Sequence, residues 1–296
     1  MNIQKSFEPR EGGVLYVVGT PIGNLGDLSE RAKEVLREVD RIAAEDTRHT
    51  RKLLSHLGIR SPLVSYHEHN RKEKGAELVE RLLAGERIAL VSDAGMPGIS
   101  DPGEDLVREA VERGIPVIPV PGPNAALTAL VASGLPTHPF LFAGFLPRTS
   151  KERKEELSRW SRLPVTLLLY EAPHRLTVML RDALEVLGDR KAAVCRELTK
   201  VHEEWVRGRL SECLAHFTEA GVRGEFTVVI AGAQAGEEEE QEVKAWWSGL
   251  DVIGHVEAYL EQGKSKKEAI QLVAKDRQMP KRDVYNRYHQ AREESE

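Results

Sequence analysis

A chain of 296 residues, 41% of them hydrophobic, is long enough for two cores and an appendage. With 42 basic and 47 acidic residues its formal charge is −5, so no global field draws in a nucleic acid and any such surface must be local. Cys195 and Cys213 have no metal-ligand spacing and exclude a disulfide scaffold, no apolar run approaches the ~20 residues of a bilayer span, and the polar start carries no signal core; together these predict a soluble cytoplasmic protein.

Val14-Leu-Tyr-Val-Val18 is a β-branched strand running into Gly19-Thr-Pro-Ile-Gly-Asn-Leu-Gly26. That loop lacks the G-x-G-x-x-G spacing, so the dinucleotide fingerprint fails. A helix follows, capped by Asp27 or Ser29, with Ala32, Val35, Leu36 and Val39 at helical spacing. Arg41-Ile-Ala-Ala44 is a second strand, ending in Glu45, Asp46, Thr47 and Arg48 before a helix. On spacing alone the two carboxylates read as helix-start acids favoured by the dipole. A third strand, Leu63-Val-Ser-Tyr66, ends in His67-Glu-His-Asn-Arg71. His67 and His69 fall on one side of an extended segment, but without a third ligand they are a poor zinc signal, and no metal is expected. The segment reads equally as a solvated loop or a substrate-facing one.

An amphipathic helix over 76–83 leads to the most telling stretch, residues 88–103. Ile88-Ala-Leu-Val91 is a continuous apolar strand. Gly95, Pro97, Gly98, Pro102 and Gly103 then break the chain around Asp93 and Asp101, and a helix resumes near Glu104. Glycine lets a backbone approach a ligand closely, and proline stiffens the loop that does so. After a helix over 104–113, Val117-Ile-Pro-Val120 and Pro121-Gly-Pro-Asn-Ala-Ala126 repeat the pattern, with Asn124 as the N-cap of a helix over 125–133. Strands alternating with helices predict a mainly parallel α/β sheet. Three Gly/Pro loops at its strand ends predict one shared cleft at the carboxyl edge.

Gly134-Leu-Pro136 marks a domain boundary. The second half again alternates strands and helices, with some antiparallel pairing. Its strands are Phe140–Leu146, Val165–Tyr170, Ala192–Cys195, a segment from Trp205, and the stretch to Ala231. Pro147–Arg153 is a basic loop. The acidic run 237–242 predicts a solvated linker. From 264 to 292 nine basic residues face three acidic ones. Ser265-Lys-Lys-Glu268 is a capping box, Met279-Pro280 a turn, and a last helix carries Val284, Tyr285 and Tyr288. This predicts a helix-turn-helix-like nucleic-acid module, with a small dimerisation or docking bundle as the alternative. The expected layout is an α/β domain at 12–135, a second at 136–235, a linker at 236–248 and a basic helical module at 249–296.

The motifs resemble the tetrapyrrole methylase superfamily, and within it the ribosomal small-subunit RNA methyltransferase I family. They are Leu15-Tyr-Val-Val-Gly-Thr-Pro-Ile-Gly-Asn-Leu25, Ala44-Glu-Asp-Thr-Arg48, Ser65-Tyr-His-Glu-His-Asn70, the stretch from Val91 to Gly103, Pro119-Val-Pro-Gly-Pro-Asn-Ala125, Tyr170-Glu-Ala-Pro-His-Arg175, Arg196-Glu-Leu-Thr-Lys200 and Gly224-Glu-Phe-Thr-Val228. The resemblance implies two α/β domains with S-adenosylmethionine in the cleft between them and a homodimer. It also implies 2′-O-methylation of a cytidine in the decoding region of 16S rRNA, in the small ribosomal subunit. Carried over by position, the expected cofactor contacts are Pro21, Asp93, Ala94, Gly95, Gly98, Ile99, Asn124, Ala125, Tyr170, Glu171, Glu225 and Thr227.

A ribose hydroxyl needs a group to take or hold its proton. The candidates are Glu45, Asp46, His67, Glu68, Glu171, Lys200 and Glu203, with Glu68, Lys200 and Glu45 preferred. For RNA, Arg48, His67, Asn70, Arg148, Arg175 and Arg196 are expected contacts, together with Lys281, Arg282 and Arg287 of the tail. Each arginine reads alternatively as a structural ion pair. A tetrapyrrole (precorrin or uroporphyrinogen) methylase and a non-catalytic, cofactor-sensing nucleic-acid binder remain alternative functions. The basic tail and the E-D-T-R and Y-H-E-H-N motifs weigh against the tetrapyrrole substrate.

Overall fold

The apolar run at Val14–Val18 (β1) is buried on both faces and becomes an inner strand of a parallel sheet. Around it lie Arg41–Ala44 (β2), Leu63–Ser65 (β3), Arg87–Val91 (β4) and Val117–Val120 (β5), in the order β3-β2-β4-β1-β5. The computed structural model describes residues 3–6, 12–234, 247, 249–277 and 279–293. The chain forms two compact units, Met1–Ala233 and Gln234–Glu296. Every strand pair in the first sheet is parallel, so all five carboxyl ends open on one edge. The helices Glu30–Glu38 (α1), Thr47–His56 (α2), Arg71–Leu83 (α3) and Gly103–Glu112 (α4) cross between strands. Ser29 rather than Asp27 caps α1, its hydroxyl accepting the Ala32 N–H at 3.1 Å. The helix α3 begins five residues before the expected 76–83. Its first turn is polar apart from Gly75, which is buried, so the apolar spacing starts late.

The second sheet has the order β6-β7-β10-β8-β9, from Phe140–Phe145 (β6), Thr166–Glu171 (β7), Lys191–Arg196 (β8), Glu204–Arg209 (β9) and Phe226–Ile230 (β10). Only β6 and β7 are parallel; the other neighbours are antiparallel. On one face lie Ser150–Trp160 (α6), Leu176–Leu187 (α7) and Leu210–Ala220 (α8), around a core containing Leu157, Met179, Leu180 and Phe217. Arg153 of α6 and Asp182 of α7 form a buried ion pair at 2.6 Å. The other face is covered by Ala125–Ser133 (α5), whose Ala126, Ala129 and Leu130 pack on Leu168, Ala193, Cys195 and Val229. This helix follows the first sheet in the chain yet packs on the second. The boundary expected at 135/136 therefore separates α5 from the sheet it covers.

Among the described residues of the second unit, Val252–Glu261 (α9), Lys266–Asp276 (α10) and Lys281–Glu293 (α11) cluster together. Val256, Ala269, Ile270, Val273, Val284 and Tyr288 form its core. The Ser265–Glu268 capping box is present, and a helix precedes the expected helix-turn-helix. The acidic run 237–242 lies outside the described residues. Among the described residues no helix is long and apolar enough to cross a membrane.

Three loops of the first sheet are knitted backbone to backbone. Thr20 and Gly95 exchange N–H to C=O bonds at 2.9 and 3.1 Å. A Cβ on Gly19 would lie 2.6 Å from the Cα of Gly122, and one on Gly122 would lie 2.8 Å from the Cα of Gly19. Backbone cannot swing aside as a side chain can. Gly122→Ala is therefore expected to destabilise the protein by about 1–3 kcal/mol, measured as a shift in urea midpoint at unchanged slope. A variant as stable as the parent would show that the loops do not touch.

Candidate active site

The carboxyl ends of β1, β2, β4 and β5 and the ends of β7 and β10 enclose a cavity of about 460 Å³. The 92–101 loop forms one wall, where Asp93, Ala94, Gly95 and Ile99 lie with Ser92, Met96, Ser100 and Asp101. Asp101 shapes that loop as well as lining it: its carboxylate accepts the N–H of Gly98 at 2.9 Å and of Gly103 at 2.7 Å. Gly98 is thereby turned to loop geometry and does not line the cavity. Ser100 has φ +64°, a left-handed conformation that costs a non-glycine residue energy and here falls on the cavity wall. Pro21 does not line the cavity either; its neighbour Ile22 does.

Asn124 and Ala125 contribute the wall after β5. Asn124 Oδ1 accepts the Leu127 N–H at 2.9 Å and caps α5. Tyr170, at the end of β7, accepts the Ala126 N–H on its hydroxyl at 3.3 Å, and so ties the second sheet to the start of α5. The rings of Phe142 and Phe145 flank it, with centroids 5.2 and 5.7 Å away. Burial pushes the Tyr170 phenol up. Thr227 is buried opposite Tyr170 in the sheet register and lines the cavity with Phe226.

Five carboxylates line the cavity, from Glu45, Asp93, Asp101, Glu171 and Glu225, and among the described residues no lysine, arginine or histidine does. Glu171 is 2% exposed. Its Oε1 accepts the Ala172 N–H at 2.9 Å and lies 3.1 Å from Arg175 Nε, while its Oε2 has no hydrogen-bond partner. A buried acceptor left unpaired costs about 1–3 kcal/mol, so this oxygen suits a ligand N–H or O–H. Burial raises the Glu171 carboxyl above its ordinary value. Glu45, half-buried at the end of β2, is raised first by burial and then by the Asp93 and Asp101 carboxylates beside it.

The other expected bases stand differently. Asp46 caps α2 and pairs with Arg48 at 2.9 Å; hydrogen bonds from Arg48 hold its carboxyl at about 2. Glu203 accepts the Thr199 N–H at 2.6 Å and the Trp205 Nε1–H at 3.0 Å, which lowers its pKa. Lys200 does not line the cavity. Its Nζ lies 3.0 Å from Glu197 and 2.9 Å from Glu225. Burial opposes the Lys200 charge, but hydrogen bonds to Glu225 and Glu197 outweigh it and hold the lysine protonated, as a cation rather than a base. Its stem packs against Gly23, where a Cβ would sit 2.4 Å from it. Glu68 is exposed in the turn after β3 and does not line this cavity.

Several expected RNA contacts are engaged within the fold. Asn70 closes the turn after β3, accepting the His67 N–H at 2.8 Å and donating to the Ser65 carbonyl at 3.1 Å. His67 is half-buried beside His69, and its Nδ1 has no hydrogen-bond partner. Arg175 holds the Leu146 and Pro147 carbonyls at 2.6 and 3.1 Å. Arg196 holds the Arg223 carbonyl at 2.8 Å and Glu204 at 3.1 Å. Arg48 and Arg148 are exposed, as are Lys281, Arg282 and Arg287 in the second unit. Met96 and Phe226 fall within the expected 93–99 and 224–227 cofactor segments, but the sequence reading did not name Ile22, Ser92, Ser100, Phe145, Ala172, Pro173 or Leu198 as cavity residues. Six of these sit inside or beside the quoted motifs; Phe145 has no local signal beyond an aromatic ring near a strand end.

The model of the Tetrapyrrole (Corrin/Porphyrin) Methylases matches residues 14–214. The chain is 53% identical over 291 residues to the ribosomal RNA small subunit methyltransferase I of Halalkalibacterium halodurans, covering 98% of this chain and 100% of that one. It is 50% identical to the protein of the same name from Bacillus subtilis, covering 97% and 98%. Among solved structures, uroporphyrin-III C-methyl transferase from Thermus thermophilus complexed with S-adenyl homocysteine aligns with a TM-score of 0.52 at 24% identity, covering 73% and 97%. A diphthine synthase aligns with a TM-score of 0.59 at 17% identity, covering 77% and 93%. At those identities the two structures are alike in fold.

A carboxyl whose pKa is raised by folding holds its proton longer in the native chain than in the unfolded one. Stability then falls as pH rises from the ordinary 4.5 through the raised value. Glu45→Gln removes that cost. In thermal melts of the protein without ligand, the variant is expected to melt above the parent near neutral pH and to converge with it below pH ~4. A difference independent of pH would refute the electrostatic account of Glu45.

Proposed function

We propose, for a chain that belongs to the ribosomal RNA small subunit methyltransferase I family within the tetrapyrrole methylases, that it transfers a methyl group from S-adenosylmethionine to small-subunit ribosomal RNA. The acceptor in this reading is the 2′-hydroxyl of a cytidine in the decoding region of 16S rRNA. The observation that carries the cofactor is the cavity itself: apolar walls, five carboxylates and no cation suit a molecule bearing sulfonium and ammonium charges. The unpartnered Glu171 Oε2 adds a buried acceptor for one of its N–H or O–H groups. Asp93, Ala94, Gly95, Ile99, Asn124, Ala125, Tyr170, Glu171, Glu225 and Thr227 would hold it, and Pro21 and Gly98 would act through loop shape.

When bound, S-adenosylmethionine supplies a methyl group already activated on a sulfonium, so no metal is called for. The chain's own residues must then orient the ribose and accept its proton. Glu45 is the base in this proposal. It lines the cavity, pairs with no cation among the described residues, and is made more basic by burial and by its acidic neighbours. Glu171 is buried against Arg175 and serves as a binding acceptor. Lys200, held protonated at the rim by Glu225 and Glu197, is placed to meet a phosphate rather than to take a proton. Arg148 is exposed and available to RNA, and Arg48 is exposed with its guanidinium turned to Asp46. The two α/β halves, 12–135 and 136–235, act as cofactor domains, the module at 249–296 adds RNA affinity, and the working form is a cytoplasmic homodimer.

Labelled methyl from S-adenosylmethionine is expected on a single cytidine ribose of unmodified small subunits. Label appearing on a tetrapyrrole alone would overturn the reading. Glu45→Gln is expected to lower the single-turnover rate about 10²-fold or more, to flatten its rise with pH, and to leave cofactor affinity within a few-fold. Removing the chain beyond Gln241 is expected to weaken subunit binding more than cofactor binding, measured by sedimentation and calorimetry on the same preparation.

A further inference from the structure

We propose that Tyr285 and His289 form a stacking platform for an unpaired nucleobase, with Lys281 and Arg282 contacting the phosphates beside it. The core face of α11 is set by Val284 and Tyr288, which are 0% and 1% exposed. Helical spacing puts Lys281, Tyr285 and His289 one turn apart on a different face, with Arg282 next to them. Tyr285 is 48% exposed although large and aromatic. Its ring centroid lies 4.4 Å from that of His289, the planes tilted by 41°. Each ring limits the other's rotamers, so little side-chain freedom is left to lose when a third ring is added.

The charges around the rings point to a polyanion. Lys281, Arg282 and Arg287 are exposed and make no ion pair among the described residues. Elsewhere many exposed cations are paired, as Arg108 is with Asp105, Arg113 with Glu80 and Arg159 with Glu156. A chain of net charge −5 that concentrates nine basic and three acidic residues between 264 and 292 is attracting negative charge locally. Phosphate alone would need only the cations; two ordered rings beside them add a surface for a flat π face. A duplex hides its base faces, so the ligand is single-stranded or looped RNA. The platform deepens the RNA-methyltransferase reading and rests on it only for which RNA is bound.

The test uses the full-length chain and a short oligoribonucleotide, single-stranded or annealed to its complement, followed by fluorescence anisotropy across a salt series. The single strand is expected to bind more tightly than the duplex. Tyr285→Ala is expected to weaken single-strand binding about tenfold at an unchanged salt slope, with Tyr285→Phe near the parent. Lys281→Gln and Arg282→Gln are each expected to reduce the salt slope by about 0.7. Circular-dichroism melts should be unmoved, because these side chains lie outside the core. Parent-like affinity in Tyr285→Ala, or equal affinity for duplex and single strand, would overturn the platform. So would loss of self-association in that variant with RNA affinity intact, which would make the face a protein contact. Methyl transfer to small subunits is assayed alongside. Failure of the parent there, with the Tyr285 effect intact, removes the ribosomal reading and leaves the platform standing.

Discussion

The meeting of two glycines holds the site together. Gly19 at the end of β1 and Gly122 at the end of β5 approach so closely that a Cβ on either would collide with the other's backbone. A parallel sheet places its carboxyl ends on one edge, but it does not by itself bring successive loops into contact. The glycine contact and the paired Thr20–Gly95 hydrogen bonds do, turning three loops into one continuous wall. The second sheet is joined to that wall by short polar links. Tyr170 accepts the Ala126 N–H, Thr199 Oγ1 accepts the Asn24 N–H at 3.1 Å, and the Lys200 stem lies on Gly23. Thr199 and Glu197 both take left-handed φ values, +67° and +51°, in the segment that makes this join. Strain there is held in place by hydrogen bonds to Glu203 and Glu225.

Charge is distributed as strictly as backbone. The cavity collects carboxylates, and cations near it are bound by other groups: Arg175 by Glu171 and two carbonyls, Arg196 by Glu204 and a carbonyl, Lys200 by Glu197 and Glu225. Such a cavity favours a cationic small molecule. Within the second unit the balance is reversed, with exposed basic side chains on α11 and an apolar core behind them. A protein that must hold a cationic methyl donor and a polyanionic acceptor needs both environments, and here they are built on separate stretches of chain.

Much of the architecture was legible locally. Apolar runs marked the strands, Gly/Pro clusters marked the loops after β1, β4 and β5, and Asn124 and Ser265 were recognisable as caps. The start of α3 was not, because its first turn is solvated and Gly75 carries no side chain to show a period. Nor was the allegiance of α5, whose nearly uniform apolar sequence marks no one face for burial; the second sheet took it through Leu168, Ala193, Cys195 and Val229.

The sequence by itself determined the α/β alternation, the glycine loops, the excess of basic over acidic residues in the tail and the family. All of these are carried by local residue chemistry or by motif order. The tertiary structure alone decided which titratable groups have a role open to them. Asp46 and Glu45 are neighbours in the chain, yet Asp46 is held near 2 by Arg48 while Glu45 is raised by burial and by Asp93 and Asp101 from another strand. Lys200 is likewise a fixed cation because Glu225 reaches it from the segment before β10. Proton affinity depends on burial and on charges a few ångströms away, and both are set by elements distant in sequence.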